Sequence, residues 1–219
     1  MILYYHPLSS YCWKVLIALY ENGIPFERRM LEEPETAAEW AQLWPIARFP
    51  LLHDRARNAT VGEASIIIEY LALHEPGTFR PIPADPDAAL EVRLIDRLFD
   101  NYVMTPMQTM VADRLRPHDA RDPHGVSAAR DMLARAYALL DARLAGRRWA
   151  AGDSLTLADC AAAPALFYAD KIMPLRADYR VLGAYLDRIE ARPSFARVLT
   201  EKAPWWHMFP FAEDGTPGR

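Results

Sequence analysis

The sequence predicts an α/β domain with a small mixed sheet, followed by an all-helical domain. Three features point there. Short apolar runs alternate with helical patterns as far as His74. Pro76, Gly77, Pro81, Pro83 and Pro86 then crowd one stretch, which reads as a linker. Beyond it, apolar residues recur at three- and four-residue spacing.

Ile2 to Tyr5 is an apolar run of strand length. Cys12 to Asn22 is helical, with Val15, Leu16, Leu19 and Tyr20 on one face, and Gly23 suits the left-handed residue after its end. Phe26 to Leu31, entered through Pro25, reads as a second strand, and Ala37 to Leu43 as a short helix. Leu51-Leu52 and Thr60-Val61 flank a polar turn and suggest a hairpin; Ala64 to His74 returns to helix. This order, βαβα then ββα, implies a parallel first pair joined by a right-handed crossover, with antiparallel strands added. The result is a four-stranded mixed sheet.

Past the linker, Ala88 to Leu115 carries Leu90, Leu94, Ile95, Leu98 and Tyr102 at helical spacing, and Pro106 should kink or break it. Val126 to Leu144 is a second helix. Thr156-Leu157-Ala158-Asp159 is a capping-box pattern opening a third. Gly183 to Ala191 reads as a fourth, closed by Pro193. The division is then residues 1–76, a linker at 77–87, and a helical bundle at 88–219 ending in an aromatic tail, Pro204-Trp205-Trp206-His207-Met208-Phe209-Pro210-Phe211. So apolar a tail must bury somewhere.

Composition excludes several classes of function. The chain has 219 residues and a net charge of −4. A mildly acidic chain without a basic cluster is a poor partner for nucleic acid. No apolar run approaches the roughly 20 residues of a membrane span. The N-terminus has no signal-peptide pattern and reads as the first strand. Cys12 and Cys160 stand in different segments, so no disulfide is expected and a reducing, cytoplasmic compartment is the default. The histidines show no metal-ligand spacing: His118 and His124 sit in a Pro- and Asp-rich stretch that reads as a solvated loop. No glycine-rich phosphate loop is present.

The junction of the first strand and helix, Pro7-Leu8-Ser9-Ser10-Tyr11-Cys12-Trp13-Lys14-Val15, places two hydroxyls and a thiol at a helix start. Unpaired N–H groups and a partial positive charge gather there, so anions bind readily. A hydroxyl in that place either caps the helix or holds a thiolate, oxyanion or phosphate.

Four segments, in order along nearly the whole chain, resemble the cytosolic glutathione transferases. Ser9 to Val15 is similar to the first-helix motif of the serine-type classes, theta and zeta above all. Arg48-Phe49-Pro50-Leu51 resembles the segment in which the family places a cis-proline. Glu63-Ala64-Ser65-Ile66-Ile67-Ile68-Glu69-Tyr70-Leu71 resembles its acid-serine motif opening helix three, except that Ala64 stands where serine usually follows the acid. Ser154-Leu155-Thr156-Leu157-Ala158-Asp159 resembles its C-terminal capping box. The resemblance implies a thioredoxin-like N-terminal domain, a helical C-terminal domain, glutathione as co-substrate, a small hydrophobic electrophile and a homodimer.

It also implies roles. Ser9 would hold the glutathione thiolate, with Ser10 as runner-up. Tyr4 and Tyr5, in an apolar strand, are expected to be buried instead. The Phe49 backbone, turned by Pro50, would pair with the cysteinyl part as an added strand does. Arg48 would meet the glycine carboxylate. Glu63 and the N–H groups of Ala64 and Ser65 would hold the γ-glutamyl end. By side-chain type rather than by resemblance, Tyr11, Tyr102 and Met104 would line the electrophile pocket, since Met and aromatic residues suit adaptable apolar sites, with the aromatic tail packed nearby. Cys12 takes the second, buried place of a Cys-x-x-Cys pair and is read as a small hydrophobe.

The energetics are sufficient. A free thiol titrates near 8.5. Lowering that by about two units takes roughly 2.7 kcal/mol. One hydrogen bond to a charged group supplies about 1.5–3 kcal/mol. The same thiolate serves isomerases, dehalogenases and peroxidases on this fold. The Ser-Ser pair keeps a maleylacetoacetate-type isomerase open, and Ala64 keeps open a non-catalytic glutathione-binding or assembly module.

Overall fold

The structure, a computed structural model, describes residues 1–212. The last seven positions of the stretch assigned to the helical bundle, 213–219, lie outside the described residues.

Strand β1 (Ile2–Tyr5) lies at the centre of the sheet, whose order is β2-β1-β3-β4. It pairs in parallel with β2 (Glu27–Met30) and antiparallel with β3 (Leu51–Asp54), which forms a hairpin with β4 (Ala59–Val61). Helices α1 (Ser10–Glu21) and α3 (Ala64–His74) belong with one side of the sheet, and α2 (Pro34–Leu43) with the other. The partition follows from β1: Leu3 and Tyr5 join the large core shared with α1, α3 and the helical domain, whereas Ile2 and Tyr4 pack with Leu51 beneath Trp40, Leu43 and Trp44. Alternate residues of a strand face opposite ways. Gly23, at φ +60°, makes the left-handed exit from α1.

The long helix expected over residues 88–115 is three consecutive segments: α4 (Pro86–Leu98), a π-helical stretch (Phe99–Met104) and α5 (Thr105–Leu115). Pro106 sits in the first turn of α5, which runs on directly from the π-helical stretch, so its missing N–H leaves the preceding turn one bond short. The irregularity that proline imposes is thus taken up in the preceding turn. Helices α6 (Pro123–Leu144) and α7 (Leu157–Ile172) follow; α7 is buried almost throughout. The capping box at its start is formed, with the Thr156 N–H donating to Asp159 Oδ2 at 2.8 Å. The fourth predicted helix is α8 (Arg180–Glu190), and Pro193 does more than close it. It opens an unforeseen helix, α9 (Pro193–Lys202), again from a first-turn position. The tail continues as a 3-10 turn, Ala203–Met208, over Phe167 and Tyr168 of α7. Among the described residues no helix is long and apolar enough to cross a membrane.

Candidate active site

Ser9 is the N-cap of α1. Its extended backbone (φ −75°, ψ 117°) ends the loop, and its Oγ accepts the Cys12 N–H at 3.2 Å. Capping uses the oxygen as an acceptor and leaves the hydroxyl proton for another partner. The two readings of this serine are therefore compatible. The Cys12 thiol beside it is wholly buried, and burial pushes it up to about 12. The thiol is within hydrogen-bond reach of the Ser9 hydroxyl, but a neutral thiol is a weak acceptor and would yield that proton to an ionised sulfur. Ser10 is the first residue of α1 and is nearly buried.

The loop before Ser9 is held at every residue. The Trp13 indole N–H donates to Pro7 O at 2.6 Å, Tyr168 Oη donates to Leu8 O at 2.8 Å, and the Ser9 N–H donates to His6 O at 3.0 Å.

Two further segments face the same space. The Phe49–Pro50 peptide bond is cis, Pro50 is buried, and Arg48 and Phe49 are exposed beside it. The Trp40 indole holds the Arg48 carbonyl at 3.3 Å. Glu63 precedes α3 with φ +63° and ψ 113°, a conformation that costs about 1–3 kcal/mol in a non-glycine residue. Its side chain makes no capping bond, so the first N–H groups of α3 stay available. Gly62 admits the Trp44 ring here: a Cβ would meet it at 2.5 Å.

These elements enclose one cleft of about 1020 Å³. Ser9, Ser10, Tyr11, Arg48, Phe49, Pro50, Glu63, Ala64 and Ser65 all line it. Burial pushes the Tyr11 phenol up to about 12, so it stays protonated. Tyr102 and Met104 are not part of the lining. Tyr102 follows Asn101, which does line the cleft, but points outward at 45% exposure; Met104 is sunk in the core. Asn101, Met107, Gln108 and Val111 form that wall instead, with Tyr168 and Phe209. Tyr4 and Tyr5 are buried in the sheet and absent from the lining.

Sequence reasoning missed the charged floor. Lys14 is fully buried and pairs with Asp96 and Asp100. Ser65 Oγ accepts from Lys14 Nζ at 2.8 Å and from Arg97 Nη2 at 2.6 Å, and donates to Asp96 Oδ2 at 2.9 Å. The Ser65 hydroxyl is thereby committed, and only its N–H faces the cleft chemistry expected of it. Burial raises the Asp100 carboxyl despite the Lys14 ammonium. The available signal was Lys14 itself, a lone cation inside the apolar run Cys12 to Leu19. Among the described residues no cluster of three or more His, Cys, Asp or Glu side chains could hold a metal ion.

A four-stranded sheet with a cis-proline loop and two helix starts around one cleft, backed by a helical domain, defines a thioredoxin-like domain joined to an all-helical one. Comparison with known proteins gives the family. Residues 3–79 match the family model for the glutathione S-transferase N-terminal domain, and residues 119–188 the model for the C-terminal domain. A glutathione S-transferase of Methylobacterium radiotolerans, solved with glutathione sulfonate, is 31% identical with a TM-score of 0.79, the match covering 90% of this chain and 93% of that one. One from Methylobacillus flagellatus, solved with glutathione bound, is 25% identical with a TM-score of 0.82, over 90% and 98%. FtsZ-localized protein A of Caulobacter vibrioides is 28% identical over 92% of each chain. The chain belongs to the glutathione S-transferase family, whose co-substrate is glutathione.

Proposed function

We propose that this chain is a glutathione transferase of the serine type, which keeps the glutathione sulfur ionised for attack on a small, largely apolar electrophile. The observation that carries this is the single cleft lined by the Ser9–Ser10 junction, the Phe49–Pro50 loop and the Glu63–Ser65 helix start. Glutathione lies along these three elements. Its γ-glutamyl carboxylate takes the N–H groups of Ala64 and Ser65, its ammonium takes Glu63, and its glycine carboxylate takes Arg48. The Phe49 backbone pairs with the cysteinyl unit. Ser9 donates its hydroxyl proton to the thiolate, with the α1 N-terminus adding favourable charge. Ser10 is the alternative donor. Tyr11, Met107, Val111, Tyr168 and Phe209 receive the electrophile.

The molecule acts as a homodimer in the cytoplasm. Ile66 and Leu73 of α3 and Leu90 and Leu94 of α4 are exposed, at 54%, 74%, 66% and 48%. A second copy on this face would bury them, and Leu90→Glu with Leu94→Glu should convert the dimer to monomer by light scattering.

A second reading, a glutathione-binding assembly module, draws support from Ala64, from the committed Ser65 hydroxyl and from the likeness to FtsZ-localized protein A. Titration with glutathione while recording thiolate absorbance near neutral pH separates the two. A thiolate signal, followed by turnover across a panel of electrophiles, supports the transferase. Binding without thiolate supports the module.

A further inference from the structure

We infer that His6 is the positioning residue that sets Ser9 for thiolate binding, an inference that rests on the serine-type reading above. His6 is not part of the cleft lining, so it acts through what it touches. Its Nδ1 accepts the Leu8 N–H at 3.0 Å, and its carbonyl accepts the Ser9 N–H at 3.0 Å. The two bonds close a tight loop on the residues that carry the hydroxyl. Its Nε2 lies 2.6 Å from Glu32 Oε1. Because Nδ1 accepts, the neutral ring carries its proton on Nε2 and donates it to Glu32; this tautomer is assigned from the hydrogen bonds. Glu32 thus fixes which nitrogen faces Leu8.

The ring also reaches the other half of the cleft. It stacks on Phe49 with centroids 6.4 Å apart and planes at 30°, and it meets the edge of Trp205 at 6.0 Å. One side chain therefore joins the serine loop, the cis-proline loop and the aromatic tail. Donors aimed at a developing or resident anion work best when their direction is fixed beforehand. A loop free to turn by a few tenths of an ångström would lose the short, charge-assisted bond before it lost binding.

The test uses the full-length protein and reads the pH midpoint of the bound glutathione thiol, together with kcat and glutathione KM. His6→Phe keeps the stacking on Phe49 and removes the acceptor for Leu8. His6→Asn restores an acceptor near the Nδ1 position, and Glu32→Ala releases the tautomer while leaving the ring. His6→Phe should raise the thiol midpoint by about one pH unit and lower kcat at neutral pH roughly tenfold, with KM changed less than threefold. His6→Asn should return the midpoint to within a few tenths of a unit of the parent. Glu32→Ala should shift it in the same direction as His6→Phe by a smaller amount, and it carries the test should His6→Phe not fold. An unshifted midpoint in His6→Phe or Glu32→Ala, or a rise in KM alone, overturns the inference. A parent protein that binds glutathione without ionising it instead overturns the functional reading beneath.

Discussion

The Lys14 ammonium, without solvent contact in the middle of α1, lies 2.9 Å from the Asp100 carboxylate of the π-helical segment. It adds a charged tie between the first helix of the sheet domain and the helical domain to the apolar contacts that Trp13 makes with Phe167, Tyr168 and Phe195. Asp96 and Arg97 complete the group, and Ser65 of α3 bridges it.

Removing one partner of such a group is costly, because the others stay buried without their countercharge. Lys14→Met should destabilise the protein by about 3–5 kcal/mol. Urea unfolding at neutral pH measures this. Replacing Lys14 and Asp100 together, as Lys14→Met with Asp100→Leu, should recover part of the loss. A single variant as stable as the parent would mean that the group is solvated in solution.

Ser9 caps α1, and the proposed function gives it a second task, donation to the thiolate, that substitution can part from the first. Ser9→Ala removes the cap and the donor together, at about 0.5–2 kcal/mol of stability. Glycine caps almost as well as serine, so Ser9→Gly should keep most of the stability and lose the chemistry. A lost hydrogen bond to a charged group is worth about 1.5–3 kcal/mol. Conjugation at neutral pH should therefore fall roughly ten- to hundredfold in both variants, and far less in Ser10→Ala. Ser9→Thr should retain the activity. Steady-state kinetics with one electrophile decides it, and equal losses at Ser9 and Ser10 would count against the assignment.

The two domains are also clamped by acids that titrate. Burial raises Glu21, but hydrogen bonds from Arg192 and Ser194 outweigh it and hold the carboxyl below its ordinary 4.5. Glu201 is lowered in the same way, burial being outweighed by Tyr20, Arg28 and Arg197. A group with a depressed folded pKa stabilises above the unfolded value and loses that contribution as pH falls through the folded one. The urea midpoint should thus drop as pH is taken below about 4.5. Glu21→Gln should be less stable than the parent at pH 6, with the difference closing in acid. A gap independent of pH would remove Glu21 from the clamp.

The regular elements were legible because their signals are local. A short apolar run placed β1, Gly23 marked the end of α1, and Thr156 to Asp159 marked the start of α7. The misses have physical causes. Pro193 was read as a stop because proline breaks helix interiors, but in a first turn it has no bond to lose. Tyr102 and Met104 were assigned to the cleft by composition, and a π-helical turn decides which residues a helix shows. Ser65 was legible by position but not in its commitment, since Lys14, Asp96 and Arg97 approach it from 51, 31 and 32 residues away. His6 carried no signal at all, because its partners Leu8 and Glu32 become meaningful only once the loop is closed.

The cysteines offer a direct check on the thiol chemistry. Cys12 is pushed up to about 12 and Cys160 well above its ordinary value, in both cases by burial. At pH 8 only about one Cys12 in ten thousand would be ionised. A disulfide reagent should find no fast thiol in the native protein and two after unfolding, two being the cysteine content of the chain. Rapid labelling of one thiol in the folded state would reopen a redox role for Cys12.

The aromatic tail bears on specificity through Phe209. That ring lies 5.1 Å from Tyr168 and 4.8 Å from Trp206, is nearly buried, and lines the cleft beside Tyr168. Trp206 in turn stacks on Tyr168 at 6.1 Å, and Lys202 Nζ lies 3.6 Å over the Trp206 ring. The tail is thus one wall of the cleft, at the part to which the proposed function assigns the electrophile. Burying an aromatic or aliphatic side chain contributes about 1.5–3 kcal/mol, and a bound apolar electrophile shares that surface. Phe209→Ala should raise the electrophile KM roughly tenfold while the glutathione KM stays within about twofold, since the proposed function seats the two substrates on different residues of the cleft. Deletion of residues 204–219 should do the same more severely. A deletion variant that folds and keeps both KM values would leave the tail a purely structural part.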